Sequence, residues 1–333
     1  MLDREDVMIK ASAACLIAGL SLLLTRGSLA QQDWPNRPVQ IIVPFAAGGS
    51  GDILARVVAQ YLTSSLRQQF VVENRPGGGG IIGTKQFLAQ PADGYTIGMS
   101  SLSTLSLVPI INSNAGYDRD NDFVHIAYIG GSPVVLAANP QTGVKTLPEF
   151  ISYANTPGKS FTFASSGVGS DGQLWGELIA SSTRVKAEHV PYKATAQALS
   201  DLVAGHVKFS TFTLSSTSPF LHAKSLNGIA VTAPERMSDF PDLPTFKELG
   251  KPDLVGTTWF ALSGPLGMPK DIVNKINRTV QAAVATAEVQ ARFRRDGIIA
   301  QPMNAGEFTE FVASENVRWK SLIEHVGLAG AQQ

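Results

Sequence analysis

Two glycine-rich turns in this chain combine bare backbone N–H groups with small hydroxyl side chains. The first is residues 45–52, FAAGGSGD, and the second is residues 165–171, SSGVGSD. Each follows an apolar run, so each is expected where a strand ends and a helix begins. The first N–H groups of a helix lack partners within it and carry a partial positive charge, so such turns bind anions. Two of them facing each other would hold a small acid from both sides.

Glycine is also common in strand-to-helix turns for structural reasons, and for one turn alone that interpretation would be preferred. The two turns together favour binding, because they follow strands in different predicted domains. Open α/β sheets bind ligands at the carboxyl ends of their strands. Ser101, at the end of the third predicted strand, belongs to the same edge.

Patterns typical of catalysis or metal binding are missing from the sequence. There is no Gly-x-Ser-x-Gly motif. The five histidines are scattered, with no His-Glu-x-x-His pattern. Residues 158–160, GKS, lack the earlier glycine and the following helix of a phosphate loop. The remaining chemistry is to hold an anion, so we expect no enzymatic activity, no metal and no cofactor.

Residues 78–83, GGGIIG, match the Gly-x-Gly-x-x-Gly pattern of dinucleotide-binding folds. No acidic residue ends a following strand about 20 residues later, where a ribose would require one. Polyglycine also matches such patterns by chance. We interpret this run as a tight turn that lets a helix and a strand pack closely.

Strand and helix patterns alternate along the chain, which predicts an α/β fold with right-handed crossovers. Residues 39–45 are a nearly continuous apolar run, typical of a strand buried on both faces. The stretch 123–138 is extended, with little turn chemistry. Further strands are predicted at 70–73, 95–99, 161–164, 188–192, 207–212, 226–232 and 258–262, and helices at 53–62, 147–154, 173–181, 196–204, 272–293 and 307–326.

The length of 333 residues predicts two domains of ordinary size. We expect a first lobe of residues 31–135 plus 254–333, interrupted by a second lobe of residues 136–253. Each lobe would be a mostly parallel sheet flanked by helices, with the ligand cleft between the lobes. Lys plus Arg and Asp plus Glu are equal at 27 each. This balance gives no support for nucleic acid or an acidic membrane surface as a partner.

The N-terminal segment has the pattern of a secretory signal. Lys10 precedes the apolar run 11–24, whose roughly fourteen residues are fewer than the about 20 that span a bilayer. Small residues at 28–30 fit a signal-peptidase site, so we predict cleavage after Ala30 and export to the periplasm. Acidic residues at 3–6 are unusual in such a signal and leave Met8 as an alternative start to Met1.

The single cysteine, Cys15, lies inside this predicted signal. A lipid-anchor signal would place its cysteine after the apolar run, and here apolar residues follow it. The mature protein would therefore contain no disulfide and no thiolate chemistry.

Several separated motifs resemble those of the tripartite tricarboxylate transporter receptors, also called the Bug family of extracytoplasmic solute-binding proteins. The resemblance covers essentially the whole mature chain. The matching motifs are Trp34-Pro35-x-Arg37-Pro38, Pro44-Phe45-x-Ala47-Gly48-Gly49-Ser50-x-Asp52, Ala55-Arg56, Val72-Glu73-Asn74-Arg75-Pro76-Gly77, Asp93-Gly94-Tyr95, Ser165-Ser166-Gly167-x-Gly169, Val190-Pro191-Tyr192-Lys193, Pro241-x-x-Pro244-Thr245 and Trp259-Phe260.

The resemblance implies a two-domain periplasmic binding protein fold, type II-like, that closes on a small carboxylate. It implies a monomer that serves a membrane permease or a sensor. The ligand would be a mono-, di- or tricarboxylate, and aromatic acids and acids with an amino group remain alternatives. The expected ligand-binding residues are Phe45, Ala47, Gly48, Gly49, Ser50, Asp52, Ser101, Ser165, Ser166, Gly167, Gly169, Ser170, Asp171, Gln173 and Thr213.

The second turn departs from the family pattern. Family members often have hydroxyl residues where Asp171 and Gly172 stand, a His at Gln173 and an Asp at Thr213. Asp171 has two open interpretations, of which the preferred one is a helix N-cap that contributes ~1 kcal/mol. Facing the cleft instead, it would repel a ligand carboxylate 4 Å away by about 4 kcal/mol at an effective dielectric near 20. Such a site would suit a ligand with an ammonium or hydroxyl group.

Two other classes of function compete with a solute receptor. An exported enzyme without recognisable signatures would convert a bound acid. A scaffold or partner-binding protein would show an apolar patch rather than a polar cleft. The paired turns favour the receptor over both.

Overall fold

The computed structural model describes residues 34–112 and 114–325. The chain divides between Asn36 and Arg37 into two units, and of the first unit only residues 34–36 are described. The second unit carries all the helices and strands given below. The predicted signal, its cleavage after Ala30 and Cys15 lie outside the described residues.

Among the described residues, eight strands form one continuous path of hydrogen-bonded neighbours in the order β2-β1-β3-β9-β4-β7-β5-β6, and a ninth, β8, pairs with β4 off this path. The strands are β1 (Val39–Val43), β2 (Phe70–Asn74), β3 (Thr96–Ser101), β4 (Phe123–Ala138), β5 (Phe161–Ser165), β6 (Ala187–Pro191), β7 (Phe209–Thr213), β8 (Asn227–Val231) and β9 (Thr257–Pro265).

The long strand β4 belongs to two half-sheets. From Phe123 to Pro133 it pairs antiparallel with β9, and from Val134 to Ala138 it pairs antiparallel with β7 and, in part, β8. β1 lies parallel to β2 and β3 in the first half-sheet, and β5 lies parallel to β6 and β7 in the second. Each half-sheet therefore has three parallel strands. β4 is buried from Ile126 onward, which explains an extended apolar stretch without turn chemistry.

The helices cover both half-sheets and follow the strands in alternation. They are α1 (Ser50–Leu66), α2 (Ile81–Leu88), α3 (Val108–Ile111), α4 (Leu147–Ala154), α5 (Asp171–Thr183), α6 (Thr195–Ala204), α7 (Leu214–His222), α8 (Lys270–Val284), α9 (Ala287–Arg295) and α10 (Ala305–His325). A π-helical turn, Ser103–Leu107, precedes α3. Within the described ranges, no helix has the length and apolar character to cross a membrane.

The predicted single helix over 272–293 is wrong, because the structure breaks it into α8 and α9. Thr286 starts the second helix, since its side chain accepts a hydrogen bond from the Val289 N–H. A threonine N-cap of this kind begins a new helix. Ile276, Val280 and Val284 form a buried stripe of α8 as predicted. Ile272 is only half-buried, and Val273 takes the inward place.

The C-terminal helix α10 is fastened to β9 by a buried carboxylate. Glu315 accepts hydrogen bonds from the indole N–H groups of Trp259 (3.0 Å) and Trp319 (2.7 Å). Both indoles are fully buried, and Glu315 is 8% exposed. A buried carboxylate requires such donors. α10 therefore becomes part of the core beside β4 and β9.

Candidate functional site

A cavity of about 610 Å³ opens at the carboxyl ends of the parallel strands. Its wall contains Ser101 at the end of β3, Thr213 at the end of β7, and Thr258 and Phe260 on β9. Residues from both half-sheets therefore contribute to one space. The volume is that of an ordinary small-molecule pocket.

Five helices begin at this cavity. Their N-cap residues all lie in its wall, and they are Gly49 (α1), Gly80 (α2), Ser170 (α5), Ala194 (α6) and Thr213 (α7). Of these five, only Ser170 uses its side chain to accept a hydrogen bond from its own helix. Among the described residues, the first helical N–H groups of α1 and α6 have no side-chain partner. At α7 the Ser215 N–H donates to Ser132 Oγ at 3.0 Å, and at α2 the Ile81 and Ile82 N–H groups donate to the carbonyls of Gly78 and Gly77. The cavity is therefore rich in backbone donors and positive partial charge.

A cluster of hydroxyl groups joins the starts of α1 and α7. Ser50 Oγ lies 2.5 Å from Thr213 Oγ1 and 2.8 Å from Ser216 Oγ, and Ser215 Oγ donates to Ser50 Oγ at 2.7 Å. These four side chains are buried. Since α1 follows β1 and α7 follows β7, the cluster connects the two half-sheets.

α7 was missing from the sequence prediction. Its sequence, LSSTSPFLH, contains four hydroxyl residues and Pro219 inside the helix, which favours a loop. A threonine at the end of a strand, followed by Leu214 and later by Phe220 and Leu221, was the available signal for its N-terminus.

The outer part of the first turn shapes the site without lining it. Ala47 and Gly48 are exposed, and neither they nor Asp52 belong to the cavity wall. The Asp52 carboxylate accepts from Arg56 Nε (3.1 Å), the Gly48 N–H (3.0 Å) and Asn74 Nδ2 (3.0 Å). Burial alone would raise the pKa of Asp52, but these donors and the charge of Arg56 lower it overall. Asp52 thus ties the turn to β2.

The second turn is held by its own side chains. Ser165 Oγ lies 2.6 Å from His189 Nε2 and accepts from the Gly167 N–H at 3.2 Å. Gln173 Oε1 accepts from the Gly169 N–H at 2.8 Å. Ser165, Gly169 and Gln173 lie outside the cavity wall. Burial lowers the pKa of His189 to about 4, so its ring is neutral at pH 7. These residues organise the turn.

The preferred interpretation of Asp171 as a helix N-cap is wrong. Ser170 has the extended N-cap conformation (φ −77°, ψ 156°), and its Oγ accepts from the Gln173 N–H at 3.3 Å. Asp171 is the first residue of α5 and lines the cavity. Its Oδ2 accepts from Thr258 Oγ1 at 2.6 Å. Burial raises the pKa of Asp171, and the hydrogen bonds from Thr258 and from the N–H groups of Gly172 and Asp171 itself only partly offset the rise.

An aromatic pair forms an apolar part of the wall. Phe45 and Phe260 meet edge to face, with ring centroids 6.1 Å apart. A Cβ atom at Gly51 would lie 2.8 Å from Phe45 Cδ2 and 3.1 Å from Phe260 Cε1. Gly51 therefore lets the start of α1 approach the two rings.

Nine of the predicted ligand-binding residues line the cavity. They are Phe45, Gly49, Ser50, Ser101, Ser166, Gly167, Ser170, Asp171 and Thr213. Sequence reasoning did not assign to the site the segments 76–80 and 191–195, nor Ser103, Thr211, Ser216, Thr258 and Phe260, all of which line it. Several of these residues stand in the motifs of the family resemblance, which was the signal for them.

The glycine run after β2 lines the cavity. Gly79 has φ +65°, and a Cβ atom there would lie 3.7 Å from the Val168 and Gly169 carbonyl oxygens. Ser103 Oγ donates to the Gly79 carbonyl at 3.1 Å. The run is therefore a tight turn, as predicted, and it also meets the second turn.

Comparison with known proteins identifies the family. The model of the tripartite tricarboxylate transporter family receptor matches residues 54–328. Protein BugT of Bordetella pertussis (strain Tohama I) is 33% identical over 299 residues, which cover 88% of this chain and 90% of BugT. The chain belongs to the tripartite tricarboxylate transporter receptor family, and the resemblance inferred from the motifs is confirmed.

Solved structures share the fold along nearly their whole length. R. palustris Rpa4515 with adipate has a TM-score of 0.86 at 32% identity and covers 89% of this chain and 99% of its own. Periplasmic binding protein BugD has a TM-score of 0.84 at 29% identity, and the match covers 89% of this chain and 99% of BugD. MatC (Rpa3494) from Rhodopseudomonas palustris with bound malate has a TM-score of 0.82 at 29% identity, and the match covers 87% of this chain and 100% of MatC. The predicted two-lobe α/β solute-binding fold is confirmed.

Proposed function

We propose that this protein is a periplasmic receptor that binds a small organic carboxylate in the 610 Å³ cavity. The convergence of five helix N-termini carries the proposal, because backbone N–H groups and helix dipoles favour anions. Among the described residues, no arginine lines the cavity and its lysine, Lys193, is exposed, so backbone amides and hydroxyl groups would provide most of the binding. The adipate and malate bound to the two R. palustris proteins are small carboxylates of this class.

The site is proposed to have two kinds of residue. Nine cavity-lining residues from the sequence prediction contact the ligand, and these are Phe45, Gly49, Ser50, Ser101, Ser166, Gly167, Ser170, Asp171 and Thr213. Six others hold the turns in shape, and these are Ala47, Gly48, Asp52, Ser165, Gly169 and Gln173.

The cavity is proposed to close by a hinge motion between two lobes, residues 31–135 plus 254–333 and residues 136–253. The change of partner along β4 between Pro133 and Val134 supports a boundary near this place. The return crossing is proposed to lie between β8 and β9, near residue 254.

The cellular role is proposed from the family. The chain would be exported with cleavage after Ala30, act as a monomer in the periplasm and deliver its ligand to a tripartite tricarboxylate-type permease or to a sensor. We propose that it is a receptor and not an enzyme. Prolonged incubation with a bound acid, followed by mass spectrometry, should return the acid unchanged, and a converted product would contradict this.

A thermal-shift screen of mono-, di- and tricarboxylates and aromatic acids tests the proposed function. At a hundredfold excess over Kd, a ligand adds about 2.7 kcal/mol to the free energy of unfolding. We expect at least one acid to raise the melting temperature of the mature protein, by an amount that grows with the logarithm of its concentration above Kd. A protein that mass spectrometry shows to be free of ligand and that responds to none of the acids would contradict the proposal.

A further inference from the structure

Among the residues that the structure describes, Asp171 is the one carboxylate side chain in the cavity wall. The other ionisable wall residues are Tyr192 and Lys193. Tyr192 donates its hydroxyl hydrogen to Asp201 at 2.9 Å, and Lys193 is exposed. The rest of the wall consists of backbone groups, hydroxyl groups and apolar side chains. The cavity therefore favours anions through its backbone donors, yet it also contains one carboxylate, which accepts hydrogen bonds and favours a positive group.

The protein supplies Asp171 with only part of what a carboxylate requires. Thr258 donates to Oδ2 at 2.6 Å, and the backbone N–H groups of Gly172 and of Asp171 itself also contribute. Among the described residues, no positively charged side chain contributes to the pKa of Asp171. A carboxylate can accept about four hydrogen bonds. Asp171 therefore keeps acceptor capacity directed at the cavity.

The wall next to Thr258 is aromatic. Thr258 and Phe260 are alternate residues of β9, so their side chains lie on the same face of the strand. Both line the cavity, and Phe45 packs edge to face against Phe260. Aromatic rings attract cations, and an ammonium group is bound well where rings and a carboxylate meet. The Asp171 carboxylate at the start of α5 therefore suits a positive group, whereas the starts of the other helices suit a negative one.

We propose that Asp171 binds a positively charged amino group of the ligand, so that the ligand is an amino-carboxylate rather than a plain carboxylic acid. The inference rests on the proposed function, because the helix N-termini hold the carboxylate end. A plain dicarboxylate would place a second negative charge near Asp171 without supplying a donor. An ammonium group supplies both the charge and the donors.

Matched acids that differ only at one carbon test this assignment. The probes are succinate, malate and aspartate, which carry hydrogen, hydroxyl and ammonium at the same position, together with adipate and 2-aminoadipate. Calorimetric titration at pH 7 measures the Kd of each probe. We expect aspartate to bind more tightly than succinate, or 2-aminoadipate more tightly than adipate, with a Kd at least about tenfold lower, equivalent to about 1.4 kcal/mol.

The substitution Asp171→Asn should remove or reverse this preference, with tighter binding of the parent acid and weaker binding of the amino acid. Glu177→Gln is the matched control, since it removes one negative charge from the same helix outside the cavity wall. It should leave the preference unchanged. A melting temperature near that of the wild type would show that Asp171→Asn is folded.

Three results would overturn the inference. Tighter binding of the parent acids by the wild type would contradict the role of Asp171 while leaving the proposed function intact. Parent acids that bind more tightly at lower pH, in the wild type but not in Asp171→Asn, would show that a proton takes the place of the amino group. Binding of none of the five probes, together with no response in the broad acid screen, would contradict the proposed function itself.

Discussion

The aspartates of the two turns have different physical roles. Asp52 and Asp171 both follow a serine-containing glycine turn, yet one fastens the turn and the other faces the cavity. Asp52 has three donors and a lowered pKa. Burial raises the pKa of Asp171, whose donors are the Thr258 hydroxyl and the backbone N–H groups of Gly172 and of Asp171 itself, with no charged donor. A carboxylate with satisfied acceptors stabilises the fold, and one with free acceptors can recognise a ligand.

Asp52→Asn should lower the free energy of unfolding by about 1–3 kcal/mol at pH 7, because the Gly48 N–H and Arg56 lose a charged acceptor. The folded-state pKa of Asp52 is lowered, so its stabilisation is fully present above the unfolded pKa of about 3.9 and is lost as the pH falls through the folded value. Urea unfolding of wild type and variant at pH 7 and pH 3 measures this.

Asp242→Asn is the control, since Asp242 is exposed and the substitution removes the same charge. Its effect should stay within about 0.5 kcal/mol. A difference between wild type and Asp52→Asn that is equally large at pH 3 and pH 7 would contradict the charge-based role.

The sequence places the second turn correctly but cannot decide between adjacent N-caps. Ser170 and Asp171 are both good N-cap residues. The backbone conformation of Ser170 decides the helix start, and that conformation depends on contacts with Ser165 and the Gly167 carbonyl, to which Ser170 Oγ donates at 2.6 Å. Such contacts are set by tertiary packing, so the orientation of Asp171 could be learned only from the structure.

At the scale of helices, the site is a meeting of N-termini more than a pair of loops. Sequence reasoning found the starts of α1 and α5 because a strand, a glycine turn and a helical pattern follow one another there. It missed α7, whose serine-rich sequence resembles a loop. The hydroxyl cluster between α1 and α7 depends on residues more than 160 positions apart, such as Ser50 and Ser216 with a separation of 166. Local patterns do not contain that information.

Gly49→Asp should abolish binding while keeping the fold. The N-cap Gly49 has φ −83°, and a Cβ atom there meets only ordinary contacts, 3.6 Å or more away. Aspartate is a better N-cap than glycine by a few tenths of a kcal/mol, so stability should be kept or slightly raised. Its charge and its bonds to the α1 N–H groups compete with the ligand, so Kd should rise at least about a hundredfold.

Gly49→Ala is the matched control, because it adds the Cβ atom without charge or acceptor. Its Kd should stay within about threefold of wild type. Titration of both variants with the same acid measures the difference, and a folded Gly49→Asp protein with wild-type affinity would exclude the start of α1 as part of the site.

At the scale of the whole molecule, β4 is the element that makes one cavity from two half-sheets. The sequence predicted a long extended stretch within 123–138, because a strand buried along most of its length has no polar alternation. It also predicted nearly every other strand to within a few residues. The order of the strands, and the pairing of β9 between β3 and β4, depend on contacts distant in sequence and were accessible only from the structure.

The most direct test of carboxylate binding at these helix starts is a crystal structure of the mature protein with the acid that gives the largest thermal shift. The account predicts a ligand carboxylate oxygen within about 3.2 Å of a backbone N–H at the start of α1 or α7, beside Ser50 and Thr213. A ligand bound outside this cavity, or one whose carboxylates are held by arginine or lysine side chains instead of these helix starts, would contradict it.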